Sequence, residues 1–302
     1  MYDIIVIGSG PAGLTAALYA LRADKSVLIL EKGTFGGQVT FSPKIENYPG
    51  IGSMSGNDIA DLFIDQVIGR GADIEMETVQ KVVDNGNTKT VVTNKGSHEA
   101  KAVVIATGCK HRQTGLPNEN ALVGNGISYC AVCDGAFFKN KTVAVLGGGN
   151  SALQEALYLS DVCSKVYVIQ NLDFLTGEAK LIENIGKKEN VQVIYGTVLS
   201  ALKGETELTG LELKKESDGS LSELTVDGLF VAIGLEPDNE NFADVAALNE
   251  GGYFDSGETC VTKTPGVYVA GDCRSKAIRQ ITTASADGAV AALAACRYID
   301  NM

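Results

Sequence analysis

The residues of this chain best suited to chemistry are two cysteines separated by two residues, Cys130 and Cys133, in the stretch CAVCDG. Two cysteines alone do not make a zinc site. The chain has no second C-x-x-C, and its only histidines are His98 and His111. We therefore predict a redox dithiol with no bound metal. Asp134 follows the pair directly and is a candidate general acid for the leaving thiolate.

A glycine fingerprint lies near the start of the chain, at Gly8-x-Gly10-x-x-Gly13, between an apolar strand pattern and a helical one. In such a turn the first glycine allows the tight bend, the second lets the backbone approach a pyrophosphate, and the third lets the helix pack closely. Glu31 follows 23 residues after Gly8. A carboxylate at that position accepts hydrogen bonds from a ribose hydroxyl. The pattern predicts a dinucleotide-binding site.

The same pattern returns 139 residues later, at Gly147-x-Gly149-x-x-Ala152. Counting 23 residues from Gly147 reaches Gln170. An NAD site favours Asp or Glu at this position, and an NADP site favours a nearby Arg that pairs with the 2′-phosphate. The second unit therefore keeps a phosphate-binding turn and lacks the usual residue that selects the coenzyme.

The stretch Val166–Gly177, where that selection is made, carries one charge, Asp173, and no Arg, Lys or Glu. Each missing charge-assisted hydrogen bond removes roughly 1.5–3 kcal/mol. Two or three such losses weaken NADPH binding by about 10²–10⁴-fold or more. The alternative is that Lys180, or another distant residue, supplies the charge.

Two copies of a strand-turn-helix-strand unit predict an α/β fold with two Rossmann-like (three-layer ββα) dinucleotide-binding domains. The segments Lys110–Leu116 and Leu235–Asn239 are polar and interrupted by glycine or proline, as hinges often are. We therefore predict that the second domain, residues 110–239, is inserted into the first, residues 1–109 and 240–302. Rotation about these hinges would let the dithiol serve two partners in turn.

The overall composition excludes some partners. A net charge of −12 and a pI near 4.7 argue against nucleic acid and against anionic membrane surfaces. The chain shows neither a signal-peptide pattern nor an apolar run of transmembrane length, which predicts a cytoplasmic protein. The five cysteines outside the C-x-x-C lie among apolar neighbours and are predicted to be buried thiols: Cys109, Cys163, Cys260, Cys273 and Cys296.

Several motifs extend along almost the whole chain: GSGPAGLTAALYA, GGQ at 36–38, IENYPG at 45–50, ATG at 106–108, CAVCDG, GGGNSALQEALYLS, GLFVAIG, GVYVAGD and RQITTA at 279–284. Together they closely resemble the bacterial low-molecular-weight thioredoxin reductases. The resemblance implies a homodimeric flavoprotein in which the first fingerprint binds FAD. It also implies that Cys133 lies against the flavin, that Cys130 attacks the thioredoxin disulfide, and that Asp134 is the acid.

The same resemblance implies further contacts with the cofactor. Gln38 and Asn47 would approach the flavin, Asp272 would meet the ribityl chain, and residues 279–281 would lie beside the isoalloxazine. The complete set of cofactor residues implied in this way is Gly8, Gly10, Pro11, Ala12, Gly13, Glu31, Lys32, Gly37, Gln38, Asn47, Val79, Ala106, Thr107, Gly108, Gly271, Asp272, Arg279, Gln280 and Ile281.

The chain departs from the family pattern after the second fingerprint. Members that use NADPH carry His-Arg-Arg-x-x-x-Arg there, whereas the matching positions here are Gln170, Asn171, Leu172 and Thr176. The departure resembles the pyridine-nucleotide-independent branch, the ferredoxin-dependent flavin thioredoxin reductases. The leading interpretation is that electrons pass from reduced ferredoxin through FAD and the dithiol to thioredoxin.

Three alternatives stay open. The first is an NAD(P)H-dependent thioredoxin reductase that grips its coenzyme weakly. The second is an FAD-dependent dithiol oxidase that acts on a small molecule with O₂ as acceptor. The third is a flavin-binding redox sensor or scaffold without catalysis, which the complete C-x-x-C-D stretch disfavours.

Overall fold

The computed structural model describes residues 1–42 and 45–302, apart from the side chain of Cys133. The chain divides into two compact units. The first comprises Met1–Lys110 and Glu236–Met302, and the inserted unit comprises His111–Leu235. The predicted fold class, α/β with two Rossmann-like domains, is confirmed. The domain limits expected from the sequence differ from these bounds by one residue at the first crossing and by four at the second.

The chain begins with β1 (Tyr2–Ile7), α1 (Pro11–Arg22), β2 (Val27–Glu31), α2 (Gly56–Ile68), β3 (Asp73–Met76), β4 (Val79–Asp84), β5 (Lys89–Thr93), β6 (Ser97–Ile105) and β7 (Cys109–His111). The inserted unit continues with α3 (Glu119–Leu122), β8 (Ile127–Ser128), α4 (Ala131–Asp134), β9 (Thr142–Leu146), α5 (Asn150–Ser160), β10 (Lys165–Ile169), α6 (Ala179–Gly186), β11 (Val191–Ile194), β12 (Thr197–Lys203), β13 (Gly210–Lys215), β14 (Leu221–Leu224) and β15 (Gly228–Val231). The last elements are β16 (Leu235–Pro237), β17 (Val267–Val269) and α7 (Ile281–Asp300).

The main sheet of the first unit has the order β3-β2-β1-β6-β5-β4, and β17 also pairs with β6. The parallel strands β1, β2 and β17 are nearly continuous apolar runs, as expected for strands that are covered on both faces. On one face Ile4 and Val6 pack in a single buried cluster with Leu14 of α1 and Ala291 of α7. The two helices approach closely at Gly288, where a Cβ would lie 2.1 Å from the Ala12 carbonyl oxygen.

The inserted unit has a five-stranded parallel sheet in the order β11-β10-β9-β15-β8. A three-stranded antiparallel sheet, β12-β13-β14, belongs to the same unit. The short strands at the two crossings, β7 and β16, pair with each other. Among the residues that the structure describes, no helix combines the length and the apolar character needed to span a bilayer.

Candidate active site

The first glycine turn is fixed by contacts within the protein at two of its three glycines. Gly8 has φ +102°, and a Cβ there would lie 2.3 Å from the Ala106 carbonyl oxygen. A Cβ on Gly13 would lie 1.9 Å from the Gly8 carbonyl oxygen. Gly10 differs, because the nearest atom to its Cβ position is 3.8 Å away. The middle glycine therefore leaves open space, as the approach of a pyrophosphate requires.

The N-terminus of α1 faces this turn without a side-chain cap. The N-cap residue is Gly10, which has no side chain that could cap the helix, and Pro11 occupies the first helical position. The first backbone N–H groups of a helix have no partner within the helix, and together with the helix dipole they favour an anion. The helix begins where a pyrophosphate would need these donors.

Glu31 ends β2 beside the same turn. Its Oε2 accepts hydrogen bonds from the backbone N and the Oγ of Ser9, both at 2.8 Å, and its Oε1 accepts from the Gly33 backbone N at 2.8 Å. These bonds fix the carboxylate in the lining of a cavity of about 320 Å³. Ten of the residues predicted to bind cofactor line this cavity: Gly8, Gly10, Glu31, Lys32, Gly37, Gln38, Val79, Ala106, Thr107 and Gly108.

A second group of predicted cofactor residues surrounds the Gly271–Asp272 turn, which follows β17. Asp272 Oδ1 is buried and has no hydrogen-bond partner within the described residues. Burial raises the pKa of this carboxyl group above its ordinary value. The Asp272 carbonyl oxygen accepts hydrogen bonds from Arg279 Nε at 3.3 Å and from Cys109 Sγ at 3.2 Å. Since Cys109 also lines the cavity, the residues around the Gly271–Asp272 turn lie next to those that line the cavity.

The start of α7 holds the remaining members of this group. Asn47 Nδ2 donates to Gln280 Oε1 at 3.0 Å, and Gln280 is the N-cap residue of the helix that begins at Ile281. A Cβ on Gly271 would lie 2.7 Å from the Cβ of Ala12, so this turn packs directly on α1. All the predicted cofactor residues thus belong to the first unit, where they line the cavity or lie around α1, the Gly271–Asp272 turn and the start of α7. Their contacts with a cofactor stay a prediction.

A buried ionic network anchors the Gly271–Asp272 turn to α7. Asp287 Oδ2 accepts from the Gly271 backbone N at 3.0 Å, from Arg274 Nε at 2.8 Å and from Lys276 Nζ at 2.9 Å. Asp287 Oδ1 accepts from Arg274 Nη2 at 2.7 Å. The side chains of all three charged residues are at least 93% buried. The network fixes the backbone that carries Asp272.

The C-x-x-C segment lies in the inserted unit, around the short helix α4. Cys130 is buried and disulfide-bonded. The side chain of Cys133 lies outside the described part, so its pairing with Cys130 stays a prediction. Asp134 ends α4, and its Oδ2 accepts a hydrogen bond from Ser128 Oγ at 2.6 Å. The other five cysteines are free and buried, which confirms that prediction.

The second glycine turn repeats the backbone geometry of the first. Gly147 has φ +128°, and its Cβ position lies 2.3 Å from the Ala232 carbonyl oxygen. The segment after β10, however, folds back over this turn. The backbone N–H groups of Thr176 and Gly177 both donate to the Gly148 carbonyl oxygen, at 2.8 and 3.1 Å. Gln170 is buried, and its Nε2 donates to the Phe174 carbonyl oxygen at 2.9 Å.

Lys180, the predicted alternative source of positive charge, lies in α6. It is exposed and pairs with Glu183 of the same helix at 3.3 Å. Asn171, Leu172 and Thr176 are exposed as well. Between β10 and α6 the structure therefore presents neutral side chains and the carboxylates of Asp173 and Glu178.

Comparisons with known proteins place this geometry in a family. A family model described as "Pyridine nucleotide-disulphide oxidoreductase" matches residues 2–288. A thioredoxin reductase of Listeria monocytogenes is 40% identical over all of this chain and 95% of its own length. The crystal structure of Lactococcus lactis thioredoxin reductase is 36% identical, with a TM-score of 0.97 over the whole of both chains.

The chain belongs to the low-molecular-weight thioredoxin reductases. It is an FAD-dependent disulfide oxidoreductase with thioredoxin reductase activity, which confirms the predicted enzyme class. The predicted branch is less well supported. A ferredoxin-flavin thioredoxin reductase of Clostridium acetobutylicum is 29% identical, with a TM-score of 0.55 over 100% of this chain and 99% of that one. The chain is thus more similar to enzymes named only thioredoxin reductase.

The residues of the first unit of this thioredoxin reductase fit FAD. The open space at Gly10 and the uncapped start of α1 suit the pyrophosphate, and Glu31 suits a ribose. The buried Oδ1 of Asp272, which has no partner in the described part of the chain, suits a hydroxyl donor such as those of a ribityl chain. Each half of the cofactor therefore has a matching group in the chain.

Some residues of the site were not predicted from the sequence. Ser9 and Cys109 line the cavity, Asp287 holds the turn that carries Asp272, and Ser128 contacts the candidate acid. The position of Ser9 between two fingerprint glycines is a signal that could have found it. Cys109 and Ser128 lie beside the ATG and C-x-x-C motifs but belong to neither, and Asp287 meets the Gly271–Asp272 turn only through the packing of α7.

Proposed function

We propose that this thioredoxin reductase takes electrons from a reduced nicotinamide dinucleotide without selecting for the 2′-phosphate. In this proposal the electrons pass through FAD, held in the first unit, to the Cys130/Cys133 dithiol and then to thioredoxin. The observation that carries it is the second glycine turn, which keeps its nucleotide-binding geometry, while the segment between β10 and α6 contains no Lys or Arg. The family model supports the donor class, since its description names a pyridine nucleotide and its match includes the whole inserted unit.

The cofactor residues of the first unit bind and orient FAD in this proposal. Gly10 and the start of α1 receive the pyrophosphate, Glu31 the adenosine ribose, and Asp272 the ribityl hydroxyls. Asn47, Arg279, Gln280 and Ile281 are proposed to border the isoalloxazine. When bound, FAD accepts electrons singly or in pairs and delivers a pair to a disulfide.

The dithiol step transfers two electrons to thioredoxin. The Cys130 thiolate attacks one sulfur of the thioredoxin disulfide, which forms a mixed disulfide and releases a thioredoxin thiolate. Asp134 takes up the proton of the Cys133 thiol and donates it to that leaving thiolate. The Cys133 thiolate then attacks Cys130 Sγ, which closes the Cys130–Cys133 disulfide and releases the second thioredoxin sulfur as a thiolate that solvent protonates. The thioredoxin disulfide is reduced and the enzyme dithiol is oxidised.

Coenzyme selectivity follows from the residues after β10. NADPH would meet no arginine at Asn171, Leu172 or Thr176, so its additional phosphate would gain no charge-assisted hydrogen bond there. NADH has no such phosphate to satisfy. We therefore propose that NADH serves at least as well as NADPH.

Reduced ferredoxin is the second candidate donor, and one observation favours it. Gln170 is buried and stands where an NAD site favours a carboxylate, so the ribose would meet a neutral amide oxygen there at best. The transfer is favourable, because about −400 mV for a plant-type ferredoxin against about −270 mV for thioredoxin corresponds to roughly 6 kcal/mol for two electrons. The net charge of −12 requires a local basic patch for an acidic ferredoxin.

An anaerobic reduction assay separates the donors. The oxidised holoenzyme is mixed with NADH, NADPH or reduced ferredoxin, and flavin bleaching is followed within the turnover time. We expect bleaching by NADH at least as fast as by NADPH. Bleaching by ferredoxin alone would replace the first proposal with the second. Oxygen consumption with small dithiols, without thioredoxin reduction, would instead support the dithiol oxidase. The homodimer stays a prediction, tested by the mass of the holoenzyme in solution.

A further inference from the structure

Ser128 connects the two ends of the segment that carries the chemistry. Its Oγ accepts a hydrogen bond from the Cys130 backbone N at 3.0 Å and donates one to Asp134 Oδ2 at 2.6 Å. The Cys130 carbonyl oxygen is also 3.3 Å from Ser128 Oγ and accepts from the Asp134 backbone N at 3.1 Å. A hydroxyl has one hydrogen, so the shorter contact, with the carboxylate, receives it.

Ser128 is held by the sheet rather than by the helix that carries the acid. It is 4% exposed and ends β8, which pairs in parallel with β15 at Phe230. The Leu229 backbone N donates to the Gly126 carbonyl oxygen at 2.8 Å, which fixes the start of the same strand. The hydroxyl is therefore a rigid reference point within the inserted unit.

From this geometry we propose that Ser128 is a positioning residue, whose hydroxyl holds the Asp134 carboxyl group at a fixed position relative to Cys130. The inference rests on the proposed role of Asp134 as the acid that protonates the leaving thioredoxin thiolate. A carboxyl group on a short helix has several rotamers, and the short hydrogen bond from the Ser128 hydroxyl selects one of them. Without the hydroxyl the acid stays present and is misplaced in most molecules.

The test uses holoenzyme reduced with dithionite, so that it does not depend on the natural donor. Reduced enzyme is mixed with excess oxidised thioredoxin, the reaction is quenched and alkylated, and reduced thioredoxin is counted by mass. Asp134→Asn should lower the limiting rate about 10²–10⁴-fold through loss of the acid. Ser128→Ala should lower it on the order of 10–100-fold, with the half-saturating thioredoxin concentration unchanged.

Two comparisons separate positioning from general stability. Ser128→Thr keeps the hydroxyl and should retain most of the rate, whereas Ser128→Val has nearly the same shape and should behave like Ser128→Ala. If the alanine variant fails to fold, the Thr and Val pair still decides the question. Ser160→Ala is the matched control, because Ser160 is also buried in the inserted unit and donates only to the Leu157 carbonyl oxygen, at 2.6 Å. It should react like the wild type.

The double variant Ser128→Ala/Asp134→Asn gives the decisive measurement. If Ser128 acts through Asp134, the double variant should be as slow as Asp134→Asn and no slower. A further slowing by the full factor seen for Ser128→Ala alone would overturn the inference, and so would equal rates for the Thr and Val variants. Wild-type enzyme that leaves thioredoxin oxidised would instead refute the proposed function, which keeps the two failures distinct.

Discussion

The side chain of Gln170 lies directly against the backbone of Gly148, the middle residue of the second glycine turn. A Cβ on Gly148 would lie 2.5 Å from Gln170 Cδ. At the corresponding place in the first unit, Glu31 accepts two hydrogen bonds from Ser9, the middle residue of that turn. In each unit, therefore, the residue at the end of the second strand contacts that unit's own glycine turn. The residue is a carboxylate, Glu31, in the first unit and an amide, Gln170, in the inserted unit.

Arginines placed after β10 should create a preference for NADPH. Asn171, Leu172 and Thr176 are exposed, so Asn171→Arg, Leu172→Arg and Thr176→Arg can be combined without disturbing the core. Two or three new charge-assisted bonds should tighten NADPH by about 10²–10⁴-fold and leave NADH nearly unchanged. Titration of each coenzyme into the oxidised enzyme measures this.

A control for added charge uses three arginines elsewhere on the inserted unit, at the exposed positions Gln192, Ser217 and Ser222. This variant should gain little affinity, because its charges lie outside the segment after β10. An equal gain in both variants would mean that net charge, rather than the local site, limits NADPH binding. No gain in either would mean that the segment folded over Gly148 blocks the coenzyme.

Replacement of either dithiol cysteine should separate flavin binding from catalysis. The predicted cofactor residues all belong to the first unit, whereas Cys130 belongs to the inserted unit. Cys130→Ser and Cys133→Ser should therefore abolish thioredoxin reduction and keep FAD bound after gel filtration. Cys163→Ala is the control, because Cys163 is free and buried in the same unit, and it should stay active. Turnover retained by either serine variant would refute the dithiol relay.

Two glycines of the first turn should respond differently to the same substitution. Gly13→Ala places a Cβ 1.9 Å from the Gly8 carbonyl oxygen and should destabilise the apoprotein by about 1–3 kcal/mol. Gly10→Ala has no described atom closer than 3.8 Å to its Cβ position and should cost at most about 1 kcal/mol, as an N-cap change, while FAD binding weakens at least about tenfold, because the methyl group occupies the space of the pyrophosphate. Thermal unfolding without FAD and flavin titration measure the two effects. Tight FAD binding by Gly10→Ala would exclude pyrophosphate from this turn.

Much of this molecule follows from local pattern, and the rest depends on contacts between distant segments. The spacing of Gly8, Gly10 and Gly13 predicts the turn because each glycine answers a local steric need. By contrast, Asp287 meets Arg274 only because α7 packs beside the turn after β17, and no local spacing encodes that contact. The ferredoxin interpretation depends on four positions of one segment that differ from the NADPH-type motif. Such a short segment does not show how similar the rest of the chain is to each branch of the family.

Glu155 should make stability fall as the pH rises. Burial raises the pKa of Glu155 to about 8, and its Oε2 has no partner among the described residues. A carboxyl group whose folded pKa is raised contributes its full stability below its ordinary pKa, and the contribution is lost as the pH rises towards 8. Glu155→Gln should therefore gain on the order of 3 kcal/mol at pH 7 over the wild type, and much less at pH 5.

Urea unfolding at several pH values measures the difference between Glu155→Gln and the wild type. Glu216→Gln serves as the control, because Glu216 is exposed, and it should follow the wild-type curve. A difference between Glu155→Gln and the wild type that stays constant from pH 5 to pH 8 would mean that the carboxyl group does not titrate in this range.

Loss of the Asp287 carboxylate should destabilise the first unit more than loss of an exposed one. Burial alone would raise the pKa of Asp287, but the hydrogen bonds from Arg274 and Lys276 outweigh it and hold the pKa below its ordinary value. Asp287→Asn leaves the buried Lys276 without its carboxylate and leaves Arg274 with only the exposed Glu258, at 3.4 Å, and should cost about 3–5 kcal/mol at neutral pH. Asp300→Asn breaks the pair with Lys25, in which Asp300 is 61% exposed, and should cost at most about 1 kcal/mol. Urea midpoints of the two variants at pH 7 measure the contrast, and equal midpoints would mean that water reaches the Asp287 network.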